Sequence, residues 1–138
     1  MTRTRRIVKP PKYAAIKRLA LSLPGAIELS DRHGQWFNIG KKTFALFWAK
    51  SGRWILRLPH GQIMMLIEAR PDSFAPMRSG AMLWLYTDVD ALDASELRDY
   101  VTAAWRHTAP KKIVRSFEEA ARPRRAQPLR VRRTQTSA

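Results

Sequence analysis

The residues best suited to chemistry in this chain are cations set beside aromatic rings. Gly40-Lys41-Lys42 and Lys50-Ser51-Gly52-Arg53 are short turns tipped with positive charge, and Trp48 and Trp54 stand close to them. Lysine and arginine bond phosphate oxygens, and an indole offers a face on which a base can stack, so cationic turns beside aromatics have the chemistry of a nucleic-acid surface. Trp36 is a further stacking candidate, and Arg32, His33 and Arg57 are further phosphate-contact candidates. Lys111, Lys112 and Arg115 form another cationic group, continued by Arg122, Arg124, Arg125, Arg130, Arg132 and Arg133. Each type also has a plainer use. Lysine at turns guards sheet edges against pairing, and tryptophan fills cores. Trp105 lies on a helical apolar stripe and Trp84 in a strand pattern, which predicts a buried Trp105 and a half-buried Trp84 and leaves Trp36 and Trp48 as the exposed candidates.

Other chemistries lack their residues. The chain has no cysteine, which excludes disulfides, thiol catalysis and cysteine-held metals. His60 and His107 are isolated, no HxH or HExxH spacing occurs, and no glycine-rich phosphate loop or GxSxG is present. No catalytic residue, metal or cofactor is expected. The carboxylates Asp88, Asp90, Asp93, Glu96 and Asp99 crowd one stretch, but acids gather at a helix N-terminus for the dipole alone.

The formal charge is +15 over 138 residues, and its placement is uneven. Residues 1–12 carry five cations and residues 122–138 carry six, with no acid in either stretch, so only four net positive charges fall to the middle. Such ends draw in polyanions by releasing counterions. No apolar run approaches the roughly 18 residues of a membrane span, and no apolar signal core follows the basic first residues. The expected compartment is the cytoplasm, with nucleic acid as partner, DNA ahead of RNA, no membrane association, and a monomeric state.

These side chains must be held by regular elements. Tyr13, Ile16, Leu19, Ala20 and Leu23 recur at helical steps from Pro10 to Leu23, stopped by Pro24-Gly25. Residues 26–34 read as a loop. Gln35–Ile39, Thr43–Ala49 and Arg53–Leu58 follow as three strands with tight turns, an antiparallel meander. Gly61–Ala69 reads as a second helix that buries Ile63, Met64, Leu66 and Ile67. Ser73–Met77 is a short strand that Pro76 limits to an edge, and Ala81–Thr87 is the last strand. Asp93 or Ser95 caps a main helix with Leu97, Val101, Ala104 and Trp105 on one stripe. Pro110 interrupts it before a shorter helical stretch to Ala121. The expected fold is α+β, an antiparallel sheet with helices packed on one face, in the order α-β-β-β-α-β-β-α. Residues 1–9 are expected as a basic arm, 10–121 as one domain, and 122–138 as a disordered arginine-rich tail.

An ordered series of short motifs runs through this frame: Leu23-Pro24-Gly25-Ala26, Gly40-Lys41-Lys42-Thr43-Phe44-Ala45, Trp84 with Asp90-Ala91-Leu92, Glu96-Leu97-Arg98, Ala104-Trp105-Arg106 and Ala109-Pro110-Lys111-Lys112. The series resembles the MmcQ/YjbR family from about residue 13 to residue 117. The resemblance implies a CyaY-like α+β fold and a DNA-binding role with a double-wing arrangement of hairpins. Where many members carry a Pro-aromatic-Gly motif, this chain has Ser30-Asp31-Arg32-His33-Gly34.

The expected function is therefore a DNA-binding module of weak sequence specificity, gripping the phosphate backbone through hairpin tips and arms. Two rivals stand beside it. One is a protein-interaction module using the sheet face or tail. The other is a small enzyme with a pocket around Arg32, His33 and Arg57.

Overall fold

The structure is a computed structural model that describes residues 12–121. The basic arm and the arginine-rich tail, including Arg122, Arg124, Arg125, Arg130, Arg132 and Arg133, lie outside the described residues. The chain runs α1 (Tyr13–Ser22), β1 (Ala26–Asp31), β2 (Gly34–Ile39), β3 (Lys42–Trp48), β4 (Arg53–Leu56), α2 (His60–Ala69), β5 (Phe74–Ser79), β6 (Met82–Thr87), α3 (Ala94–Thr108) and α4 (Lys111–Ala121). Six strands form one antiparallel sheet in the order β1-β2-β3-β4-β6-β5. The α+β class is as expected, and β5 with Pro76 takes an edge, where the missing N–H costs no ladder bond.

Register sorts the strand residues onto two faces. One row across the sheet is Glu28, Phe37, Ala45, Leu56, Leu85 and Pro76. A parallel row is Ser30, Gln35, Phe47, Trp54, Thr87 and Phe74. The apolar members of these rows at the sheet centre are buried with Ile16, Ala20, Leu97, Val101 and Trp105 of the helices in one hydrophobic core. All the helix–sheet packing of that core lies on this side. Tyr13 reaches through it, donating its hydroxyl to Gln35 Oε1 at 2.7 Å. Trp54 stacks among Tyr13, Phe37 and Phe47, although its buried Nε1 finds no hydrogen-bond partner. Trp105 is fully buried, and its Nε1 donates to the Pro24 carbonyl at 3.0 Å. That bond ties α3 to the turn after α1, across 81 positions of sequence.

Local chemistry fixes the ends of α3. Asp93 accepts from the Glu96 N–H at 2.8 Å and Glu96 accepts from the Asp93 N–H at 3.1 Å, a complete capping box. Glu96 also pairs with Arg70 at 2.7 Å. Asp93 and Glu96 are thus engaged in helix capping and pairing, and among the described residues no group of carboxylates and histidines is arranged to hold a metal. Pro110 separates α3 from α4, whose Phe117 meets Trp105 edge to face at 5.0 Å.

Two local expectations change. Residues 26–31, expected as loop, form β1, paired with β2 through a two-residue turn at Arg32-His33. The Ile27-Glu28-Leu29-Ser30 alternation is a strand signal, but a short one, and the turn formers Ser30, Asp31, His33 and Gly34 that follow it read as loop; Ile27 and Leu29 lie at the sheet edge, 48% and 50% exposed. Met64, expected on the buried side of α2, is 44% exposed, because α2 turns Ile63, Leu66 and, partly buried, Ile67 to the core and Met64 away from it. No helix among the described residues is long and apolar enough to cross a membrane.

Candidate nucleic-acid interface

The second face of the sheet holds the candidate side chains. Its central row is Leu29, Trp36, Leu46, Ile55, Tyr86 and Ala75, one residue from each strand. A shorter row at one end is Asp31, Gly34, Trp48 and Arg53. Trp84, opposite Met77, lies two residues from Tyr86 along β6 and therefore shares this face. Leu46 and Ile55 are buried here although they are absent from the helix-side core. The larger rings around them supply the cover. Trp36, Trp48, Trp84 and Tyr86 are half-buried.

Gly34 makes this packing possible. A Cβ built on it would sit 2.0 Å from the Phe47 carbonyl oxygen, so only glycine lets β2 approach β3 at the Trp48 end.

The rings touch one another and the cations. Trp36 and Trp48 meet edge to face at 6.2 Å between centroids. His33 stacks on Trp48 at 5.6 Å with planes only 6° apart. The Asp31 carboxylate holds the tip carrying His33, accepting from the His33 N–H at 2.7 Å. The Arg53 guanidinium lies over the Tyr86 ring at 4.6 Å, and that of Arg57 over Trp84 at 6.0 Å. These contacts hold the arginines along the sheet while their N–H groups remain donors.

The meander divides the cations between two ends. The Arg32-His33 turn and the Lys50-Ser51-Gly52 turn share one end, bridged by the Ala49 N–H donating to the His33 carbonyl at 2.8 Å. Lys41 and Lys42 form the opposite tip. Arg57 follows β4 at that opposite end, where its N–H bonds the Phe44 carbonyl. Arg53 and Arg57 are about 13 Å apart along the strand. Arg32, His33 and Arg57 therefore do not line one pocket. The structure brings together Arg32, His33, Trp36, Trp48, Lys50 and Arg53, and places Arg57 at the far end of the same face; Lys41 lies in the hairpin tip at that end, while Lys42, register partner of the core residue Ile39, belongs to the helical side. Lys111, Lys112 and Arg115 are exposed on α4, apart from this face. Trp54, close to the tip in sequence, points the other way into the core.

Electrostatics separate the two sides of the molecule. The three ion pairs among the described residues, Lys17–Glu28, Arg70–Glu96 and Arg106–Glu118, all involve cations of the helical side. None of Lys41, Lys42, Lys50, Arg53 and Arg57 is in one. Burial, and then the charge of Arg57, lower the His107 pKa below the ordinary histidine value, so a proton is disfavoured on that ring.

Sequence reasoning missed Tyr86, which carries Arg53. The signal was present: Trp84 and Tyr86 alternate in β6, so a partly exposed Trp84 implies the same face for Tyr86.

Comparison with known proteins fixes the relationship. The sequence profile of the YjbR family matches residues 21–107. The chain belongs to the YjbR family. That match covers every strand and most of α3, and so the whole open face. A search of curated proteins finds no match. Among solved structures, this YjbR chain is similar to the crystal structure of Deinococcus radiodurans protein DR2400, a DUF419 domain, with a TM-score of 0.61 and 19% identity over 72% of this chain and 81% of that one. At that identity the likeness speaks for a shared YjbR fold.

Proposed function

We propose that this domain is a cytoplasmic DNA-binding module of weak sequence specificity, using the open sheet face and its hairpin wings on the nucleic acid and the arginine-rich arms on the surrounding phosphates. The observation that carries the reading is the set of cations outside any ion pair that is distributed over an aromatic face, with Arg53 and Arg57 laid on Tyr86 and Trp84. Cations without carboxylate partners are free to replace the counterions of a phosphate chain. Few side chains on the face are arranged to read base edges, which supports backbone-dominated binding.

The test is a salt series. The full chain and a variant with the six tail arginines replaced by glutamine are titrated with a random-sequence DNA. Both are expected to bind, and the substituted tail should flatten the slope of log affinity against log salt by several units, at about 0.9 for each phosphate that the tail no longer neutralises. Loss of all binding in the tail variant would show that the folded domain has no part in it. No binding by either protein at low salt would remove the reading.

A protein partner is the second reading, favoured by Ile27 and Leu29 on the edge strand and Met82 on β6, all more than a third exposed. Apolar surface on an unpaired sheet edge suits strand addition. Capture of one nuclease-resistant partner by the wild-type chain, abolished on replacing Ile27 and Leu29 with lysine, would favour it.

A further inference from the structure

In a duplex the bases are stacked on one another and only their edges face the grooves, whereas a single strand offers the base planes themselves. The open face presents rings and guanidinium planes. Trp36 and Trp48 form an edge-to-face corner, His33 extends it as a parallel plate, and Tyr86 and Trp84 stand across the sheet with arginines over them. Leu46 and Ile55, 8% and 3% exposed, make an apolar floor between these rings. None of the four large rings belongs to the hydrophobic core of the helical side, so packing of the helices does not account for them.

The charge pattern suits one strand laid across the sheet. Lys50 and Arg53 mark one end of β3 and β4, and Lys41 and Arg57 mark the other, while the space between is aromatic and aliphatic. β3, from Lys42 to Trp48, spans about 20 Å. A phosphate chain crossing that distance meets cations at both ends and rings between them.

We infer that the open face binds single-stranded DNA, with bases stacked on Trp36, Trp48 and Tyr86 and phosphates met by Arg53, Arg57, Lys41 and Lys50. This rests on the DNA-binding reading above and adds the strandedness of the ligand. Binding on this face is tolerant of sequence, because every base has a π face. The tail contributes to duplex and single strand alike, and high salt weakens its share.

The experiment titrates the full chain with oligothymidylate, with oligouridylate, and with a duplex of matched phosphate count, at low and elevated salt. Intrinsic tryptophan fluorescence and a labelled-oligonucleotide anisotropy are the readouts. Oligothymidylate should bind tighter than the duplex at elevated salt and quench the fluorescence. Trp36→Leu and Trp48→Leu keep an apolar side chain without a large ring. Each should lower the affinity for oligothymidylate on the order of 10-fold, and lower that for the duplex by clearly less. Trp48→Phe, which retains a ring, should recover most of the loss. Thermal unfolding of each variant shows that the fold is kept. Equal binding of single strand and duplex, unaffected by the tryptophan variants, would overturn the stacking inference and leave the DNA reading standing. Tighter binding of oligouridylate than oligothymidylate would overturn the assignment to DNA. Absence of binding to every nucleic acid would overturn both.

Discussion

The two faces of this sheet carry nearly the same residue types and put them to different ends. On the helical side Phe37, Phe47, Trp54 and Leu85 are covered by the helices and join one core. On the other side Trp36, Trp48, Trp84 and Tyr86 are left half-buried, cover only Leu46 and Ile55, and have arginines over them. A strand alternates its side chains by construction, so a fold that needs one covered face is free to vary the other. Aromatic residues on that free face are not demanded by the hydrophobic core. Ring content by itself therefore does not distinguish core from surface; the register partner does.

Substitutions can break the comparison at either face. The largest effect belongs to the covered side. Trp105→Ala removes a fully buried indole and its bond to Pro24, and should destabilise the fold by about 4 kcal/mol in urea unfolding. Trp105→Phe should also cost more than Trp54→Phe, since the latter deletes a buried donor that has no partner. Next is Gly34→Ala, where the added methyl collides with the Phe47 carbonyl. Separating β2 from β3 there should cost about 3 kcal/mol, and should disturb both stability and binding because Gly34 and Trp48 are register partners.

Smaller effects sharpen the contrast. Trp36→Leu should lower the unfolding free energy by no more than about 1 kcal/mol, since its ring is only half-buried, while its loss in binding is of the size given above. Asp93→Ala opens the capping box and should cost about 1 kcal/mol of stability, with oligonucleotide affinity unchanged because α3 covers the other face. The smallest effect is a pH dependence. The His107 pKa is lowered in the folded state, by burial first and by Arg57 second. The unfolded chain therefore binds this proton more readily. The stability from a neutral His107 is present above the ordinary histidine pKa and is lost as the pH falls through that value toward the lower folded one. His107→Gln should flatten this part of a stability-versus-pH curve measured by thermal unfolding.

Much of the frame was legible from residue pattern. Helix α3, the break at Pro110, the meander turns and the edge position of Pro76 all follow from short-range chemistry and are found, and of the two capping candidates Asp93 and Ser95 it is Asp93 that caps α3. β1 was hidden because its short Ile27-Glu28-Leu29-Ser30 alternation runs straight into the turn formers Ser30, Asp31, His33 and Gly34. The candidate site was legible as a set of cations and rings but not as a surface. Nothing local says that Trp48 and Trp54, six positions apart, point to opposite faces; the Lys50-Ser51-Gly52 turn and the Trp48–Arg53 register pair decide it. Arg57 and Arg32 likewise share a basic composition in the sequence and are separated by the length of a strand in the fold.

The division of the five tryptophans between the two faces offers the most direct test. Each indole N–H gives its own resonance, and the full chain can be titrated with single-stranded DNA while all five are followed. Binding on the open face predicts that the Trp36 and Trp48 signals move, with Trp84 following, while those of Trp54 and Trp105 stay in place. Saturable binding that leaves the Trp36 and Trp48 signals unmoved would contradict it, because the ligand would then lie on some surface other than the open face of the sheet.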